Sequence, residues 1–370
     1  MFQILIDTNI YRKDPIQAGL PFRAVARLCT AKAATLHIPY IVLREFQTQQ
    51  VDLYQKEMHA ALKGVSSVQG RRLSANATTR LGDIKAALEA VLPTVNDDAA
   101  NGIVKWAEEI GAILYSLDFD DAKRAMEAYF TGQLPLKEPK IRKDIPDSFL
   151  FQSALTILGT TKELYVISED GAFSEAAATV EGVQVLKSLN EFIELPEVQI
   201  VLQKQDEAEK IAFVIQKLSE APGELEFYMR SLGEKVLWEK IHSRTIPDDN
   251  HEATICSYGD LEDIDIDFTK AAYYGEGQLR LPFSCAMSVS AIYYIFKSDF
   301  FALDEEDMPS ISDHNDHYFE AESEFNAVVH GSISIHVQLD EASDDKEVED
   351  YVDFDSVKID EIDRIELADS

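Results

Sequence analysis

Bulky apolar residues dominate Phe2 to Ile6, with Gln3 the single polar position, and stop at Asp7-Thr8-Asn9. Such a run predicts a buried parallel strand, and one ending in an acid, a hydroxyl and an amide hands polar groups to the carboxyl edge, where open α/β sheets place their sites. Leu20, Phe22, Val25, Leu28 and Cys29 recur at helical spacing, and Thr35 to Pro39 predicts a second strand closed by its proline. Tyr40 to Phe46 opens a long helical region. Residues 47–92 are polar and helix-forming, with breaks at Gly64–Gly70 and near Pro93, which predicts a helical hairpin inserted into the α/β core. A third strand at 112–117, a helix from Asp120 to Phe130, another opening at Pro146-Asp147, a fourth strand at 163–168 and a short fifth at 182–186 follow. Strands alternating with helices imply a doubly wound parallel sheet.

Beyond residue 195 the pattern changes twice. Val201, Leu202, Ala208, Ile211, Val214, Ile215 and Leu218 keep helical spacing, whereas Leu261–Phe268, Gln278–Pro282, Ser288–Phe296, Asn326–Leu339 and Val357–Leu367 alternate with period two. The predicted fold class is therefore α/β, with a parallel N-terminal part and an antiparallel C-terminal one. A Rossmann-like parallel domain covers 1–195 with the helical insertion at 47–92, a helical linker covers 196–246, and an acidic antiparallel β-rich domain covers 247–370.

The net charge of -33 over 370 residues is distributed unevenly. Residues 1–150 carry 19 Lys+Arg against 18 Asp+Glu, residues 201–370 carry 13 against 41, and residues 301–370 carry 3 against 23. The N-terminal half can thus present local basic patches to a polyanion, while the C-terminal part repels nucleic acid or mimics it. Runs such as Asp304–Asp307 and Asp344–Asp350 are expected in exposed loops. Cys29, Cys256 and Cys285 are far apart and lack CxxC or Cys/His spacing, which argues against a disulfide framework or a zinc site. No basic-then-apolar leader opens the chain and no apolar run approaches the roughly 18 residues of a membrane span. The expected compartment is the reducing cytoplasm, with no membrane partner.

Four acids fall in comparable places: Asp7 after strand one, Glu45 in the helix after strand two, Asp147 at a helix start and Asp170 after strand four. A single strand-end Asp is more often a helix cap than a ligand. Four converging carboxylates would repel one another unless a cation neutralised them, and hard oxygen ligands without His or Cys suit Mg²⁺ or Mn²⁺. That chemistry fits phosphodiester hydrolysis. Lys137, Lys140, Arg142 and Lys143, in a Gly- and Pro-rich loop just before Asp147, are candidates to grip flanking phosphates. Asp144 is a candidate fifth ligand or a loop acid paired with Lys143 or Arg142. No Walker loop or GxSxG elbow is present, and Asn9 stands where a haloacid-dehalogenase phosphatase would carry its second acid. His314 and His317, with neighbouring acids, offer a weaker metal-site candidate, and Tyr273-Tyr274 and Tyr293-Tyr294 read as core packing before base stacking.

Ile-Asp-Thr-Asn (6–9), Ile-Pro-Tyr-Ile-Val-Leu-Arg-Glu (38–45), Pro-Asp-Ser-Phe-Leu-Phe-Gln-Ser-Ala-Leu (146–155) and Ile-Ser-Glu-Asp-Gly-Ala-Phe (167–173) resemble, in order, the acidic motifs of PIN-domain nucleases. The closest likeness is to the larger bacterial PIN-like proteins with a helical insertion. The resemblance covers roughly residues 1–190 and implies Mg²⁺- or Mn²⁺-dependent endonuclease activity, on RNA before DNA. Asp7, Glu45, Asp147 and Asp170 would be the metal-binding acids, and Asn9 and Ser168 the polar groups orienting them. Relatives include toxins of toxin–antitoxin pairs and flap endonucleases, so a toxin or antiviral defence effector is within the implied range. The alternative is a catalytically inactive PIN fold serving as a nucleic-acid-binding or regulatory scaffold. The acidic C-terminal domain resembles no recognised family, and a protein partner, autoinhibition of the nuclease and homo-oligomerisation are open expectations for it.

Overall fold

In the computed structural model the first strand, β1 (Phe2–Ile6), is central: Ile4, Leu5 and Ile6 are wholly buried. Residues 1–136, 138–141, 144–206, 208–229, 232–303, 308–343 and 345–368 are described, the side chains of Glu224 and Leu232 apart. Contacts divide the chain into two units, Met1–Val198 and Gln199–Ser370.

After β1 the first unit runs α1 (Thr8–Lys13), α2 (Leu20–Thr30), β2 (Ala34–Ile38), α3 (Tyr40–Gln69), α4 (Ala75–Ile110), β3 (Ile113–Leu114), α5 (Phe119–Thr131), α6 (Ile145–Thr161), β4 (Leu164–Ile167), α7 (Gly171–Ala177), β5 (Val183–Leu186) and α8 (Leu189–Ile193). The strands form one sheet in the order β3-β2-β1-β4-β5, with every pairing parallel. The chain builds β2 and β3 on one side of β1 and β4 and β5 on the other, so the strand order reverses at β1. Crevices outside the carboxyl ends of strands open at such reversals, and Asp7 is the first residue past that end.

The predicted hairpin is present but longer than 47–92. Val42, Phe46, Gln47 and Gln50 anchor the start of α3, and Ala99, Ile103, Ala107 and Ile110 anchor the end of α4. Pro93, expected to interrupt it, lies inside α4, whose helix continues to Ile110. A mid-helix proline removes one backbone hydrogen bond at a cost of about 3 kcal/mol; packing along α3 and burial of the four residues beyond Pro93 offset that. The third strand shrinks to Ile113–Leu114, an edge paired only with β2.

The second unit holds α9 (Pro196–Gln205) from residue 199 on, then α10 (Ala208–Glu220), α11 (Pro222–Tyr228), α12 (Leu232–Val236), β6 (Lys240–His242), β7 (Glu252–Ile266), β8 (Ala272–Gly275), β9 (Gln278–Phe296), α13 (Lys297–Phe300), β10 (Ser310–Asp313), β11 (Tyr318–Val337) and β12 (Val352–Leu367). Among the described residues, its seven strands make one sheet, β10-β11-β9-β7-β6, with β12 beside β11 and β8 beside β9. Of residues 196–246, predicted as a helical linker, 199–246 fall within this unit. Ile211, Val214, Leu218, Leu225, Met229 and Val236 are all buried, and α11 and α12 pack on β12 and β7. The helical spacing was visible, but only the contacts show that its apolar stripe is a core face.

Pro282 lies within β9 and does not end it. Its carbonyl accepts from the Asp267 amide, just where β7 has ended and a 3-10 helix begins, so the missing N–H falls at the margin of the ladder. His314 packs on Tyr294 at 4.3 Å between ring centroids, and His317 stacks parallel on Phe296. These two histidines serve as aromatic surface, and no metal-holding group forms around them among the described residues. The acidic run Asp304–Asp307 and Asp344 lie outside the described residues. No helix among the described residues is long and apolar enough to cross a membrane.

The β8–β9 hairpin turns through Glu276 (φ 51°) and Gly277 (φ 74°), the left-handed pair that a two-residue hairpin demands. A Cβ on Gly277 would lie 2.0 Å from the Val337 carbonyl oxygen. Gly277→Ala is therefore expected to destabilise the second unit by about 2 kcal/mol, read as a lowered urea midpoint with an unchanged slope.

Candidate active site

Asp7 follows β1 and caps α1. Its Oδ1 accepts from the Thr8 amide (2.6 Å), and its Oδ2 accepts from the Ser168 hydroxyl (2.6 Å) and the Asn9 side-chain amide (2.9 Å). Ser168, wholly buried at the end of β4, also accepts from the Asp170 backbone amide at 3.1 Å. Asp170 in turn caps α7, its Oδ1 accepting from the Phe173 amide at 2.8 Å. Both strand-end acids are thus helix caps, as isolated acids there usually are, yet the caps are tied together through one serine hydroxyl.

Glu45 reaches the same place from α3. Its carboxylate accepts from the Thr8 hydroxyl at 3.0 Å, which links the second strand's helix to the residue after Asp7. Asp147 lies in the first turn of α6 behind Pro146, and Asp144 takes the N-cap position without capping through its side chain.

The electrostatics show which charges face one another. Burial pushes the Asp7 carboxyl above its usual range; the Ser168 hydroxyl and Thr8 amide pull it down, Asp170 pushes it up again and Arg12 holds it back. Burial likewise raises Glu45, opposed by the Thr8 hydroxyl, supported by Asp7 and tempered by Arg12. Asp147 is displaced furthest, to about 7, first by burial and then by the charges of Asp170, Asp7, Asp144 and Glu45. Asp147 therefore feels all three other predicted acids and the candidate fifth. As placed, however, no three His, Cys, Asp or Glu side chains are gathered tightly enough to hold an ion outright among the described residues.

The donor set nonetheless fits a hard cation. All five acids offer hard carboxylate oxygens, and a desolvated carboxyl beside four like charges lowers its energy by binding a proton or a divalent ion. Asn9 gives independent support: its Nδ2 donates to Asp7 and, at 3.4 Å, to Ser168, while its Oδ1 is buried without a hydrogen-bond partner. A buried acceptor left open inside a carboxylate cluster is suited to a cation or the water it carries.

Thr8 and Arg12 were missed by sequence reasoning. Thr8 sits inside the quoted Ile-Asp-Thr-Asn motif, so its signal was present. Arg12, whose Nε donates to Gln49 at 2.5 Å, lies five residues past Asp7, and only the fold shows its charge acting on both Asp7 and Glu45. Of the predicted phosphate-gripping residues, Lys137, Arg142 and Lys143 lie outside the described residues; Lys140 is exposed, in a left-handed backbone conformation.

A family model of the PIN domain matches residues 4–173, a span that starts in β1 and ends in α7 and so takes in all four acids. This part of the chain is therefore similar to PIN domains, and its parallel sheet with flanking helices is PIN-like in fold. No curated protein and no solved structure matches the chain.

Proposed function

We propose that the N-terminal unit is a divalent-metal-dependent endonuclease acting on RNA, with Asp7, Glu45, Asp147 and Asp170 holding Mg²⁺ or Mn²⁺ and Asp144 beside them. The observation that carries this reading is the coupling of carboxylates from four separate elements, with Asp147 raised to about 7. A bound divalent ion would supply an activated water and charge stabilisation at the scissile phosphate. The chain's own part is to hold the acids in place. Ser168 and Asn9 fix one oxygen of Asp7, Thr8 fixes Glu45, and Arg12 offsets part of the negative field near both. RNA is favoured over DNA by the family resemblance.

The test is incubation of the full chain with tRNA, mRNA and single-stranded DNA in Mg²⁺, Mn²⁺ or EDTA. Cleavage of RNA that EDTA abolishes is the expected result. RNA bound but uncut in every metal would instead indicate an inactive scaffold, and metal-independent cutting would remove the acids from the chemistry. Ser168→Ala, which deletes a hydroxyl touching Asp7 and the Asp170 amide, is expected to lower Mn²⁺ affinity about 10–100-fold, measured by titration.

A further inference from the structure

A cavity of about 210 Å³ opens among the end of β3, the start of α3, the start of α5 and α6. It is built on two of the elements that carry the acids: Ile41, in its wall, is one helical turn before Glu45 on α3, and Phe149 lies on α6, whose first turn carries Asp147. The four residues from Ile41 to Glu45 rise about 6 Å along the helix, on the order of a nucleotide step. The space is smaller than the roughly 300–1,000 Å³ of drug-sized sites, a size for one flat heterocycle.

Its walls suit a base. Tyr40, Tyr115 and Phe149 supply aromatic faces, and single-stranded RNA is read by splaying bases onto such faces and bonding their edges. Tyr115 is held rigidly: its hydroxyl bonds His37 Nδ1 at 2.8 Å, and His37 Nε2 bonds Gln3 Oε1 at 2.7 Å. The polar lining is acceptor-rich, with the carboxylates of Asp118 and Asp121 beside the Ser153 hydroxyl. Asp121 is 6% exposed and anchored by Thr156 (2.8 Å) and Arg124, whereas exposed Asp118 uses Oδ1 to cap α5. Carboxylates repel phosphate, so the backbone stays at the metal centre and the base edge enters. Guanine presents adjacent ring and exocyclic N–H donors on one edge, a match for a carboxylate; uracil presents mainly carbonyl acceptors.

We infer that this cavity is a base-specificity subsite that receives a guanine of the RNA substrate next to the scissile phosphate. The assignment rests on the endonuclease reading, but its test does not need turnover. Ligand-observed NMR on the full chain in EDTA, with guanosine, adenosine, cytidine and uridine as probes, should show guanosine binding about tenfold or more tightly than uridine. Phe149→Ala should weaken guanosine about tenfold, and Ser153→Trp, which fills the cavity, should abolish its binding. Tyr40→Ala, at an exposed ring, gives the same readout if a more buried change misfolds. Asp7→Asn should leave guanosine binding intact.

Equal binding of the four nucleosides, binding of none, preference for another base, or guanosine binding that survives Ser153→Trp in folded protein would overturn the assignment. Guanosine binding with no cleavage in any metal would overturn the endonuclease reading while leaving the cavity's ligand assigned. Metal-dependent cleavage without guanosine binding would do the reverse.

Discussion

Asp7→Asn should reduce metal-dependent RNA cleavage by about 10³-fold or more, since a lost metal ligand forfeits several kcal/mol of transition-state charge stabilisation. The substitution is nearly isosteric, and an asparagine Oδ1 can still accept the Thr8 amide and cap α1, so the fold should be kept, at a cost of about 1–3 kcal/mol for an amide facing the Ser168 and Asn9 donors. What changes is charge and the partner seen by Ser168 and Asn9, which both donate to Asp7 Oδ2. An Asn amide there meets two donors with a third. The rate, measured under single-turnover conditions at saturating Mn²⁺, separates this loss from misfolding when paired with a melting curve. A rate within a few-fold of the unsubstituted protein would remove Asp7 from the site.

The second large effect concerns pH in the absence of metal. Asp147 ionises near 3.8 in an unfolded chain but near 7 in the fold, and Asp7 and Glu45 shift in the same direction. Between those values the folded state binds more protons than the unfolded one, so stability falls as pH rises. The metal-free melting temperature should therefore decline from about pH 4 to about pH 7 through this site and level off above. Protons and cations compete for the same carboxylates, so Mn²⁺ should raise the melting temperature far more at pH 8 than at pH 5. Asp147→Asn should flatten the metal-free decline and remove most of the Mn²⁺ increment at pH 8. His37 acts in the opposite sense: burial lowers it to about 4, so its contribution is present above its ordinary value and is lost as pH falls through 6.5 towards 4. The two can be told apart because His37, bonded to Tyr115 and Gln3, is outside the proposed cation site, so its contribution should not respond to Mn²⁺.

The parallel core was legible because its signals are local. Ile4-Leu5-Ile6 is apolar without alternation and Asp7 stops it; the strand ends at Ile38 and Ile167 fall within a residue or two of their predicted places. The antiparallel unit was legible from alternation, but that alternation predicts two segments, 278–282 and 288–296, because Pro282 breaks the pattern; in the fold they are one strand, β9, whose Leu281, Phe283, Cys285, Met287, Val289, Ala291, Tyr293 and Ile295 are all buried. What could not be read depended on partners distant in sequence. Pro93 is tolerated because α3 lies beside it, and the helices after residue 199 belong to a core whose other face is built from strands that come later. Arg12 acts on Glu45 only once α1 and α3 are adjacent, and the cavity lined by Phe149 combines four elements that share no motif.

Calorimetric titration of Mn²⁺ into the full chain at pH 7.5, alongside Asp147→Asn, tests most directly whether the coupled acids form one cation site. The account predicts saturable binding by the unsubstituted chain, accompanied by proton release, and binding weakened beyond detection in the variant. Saturable binding equally strong in both proteins, or none in either, would contradict it.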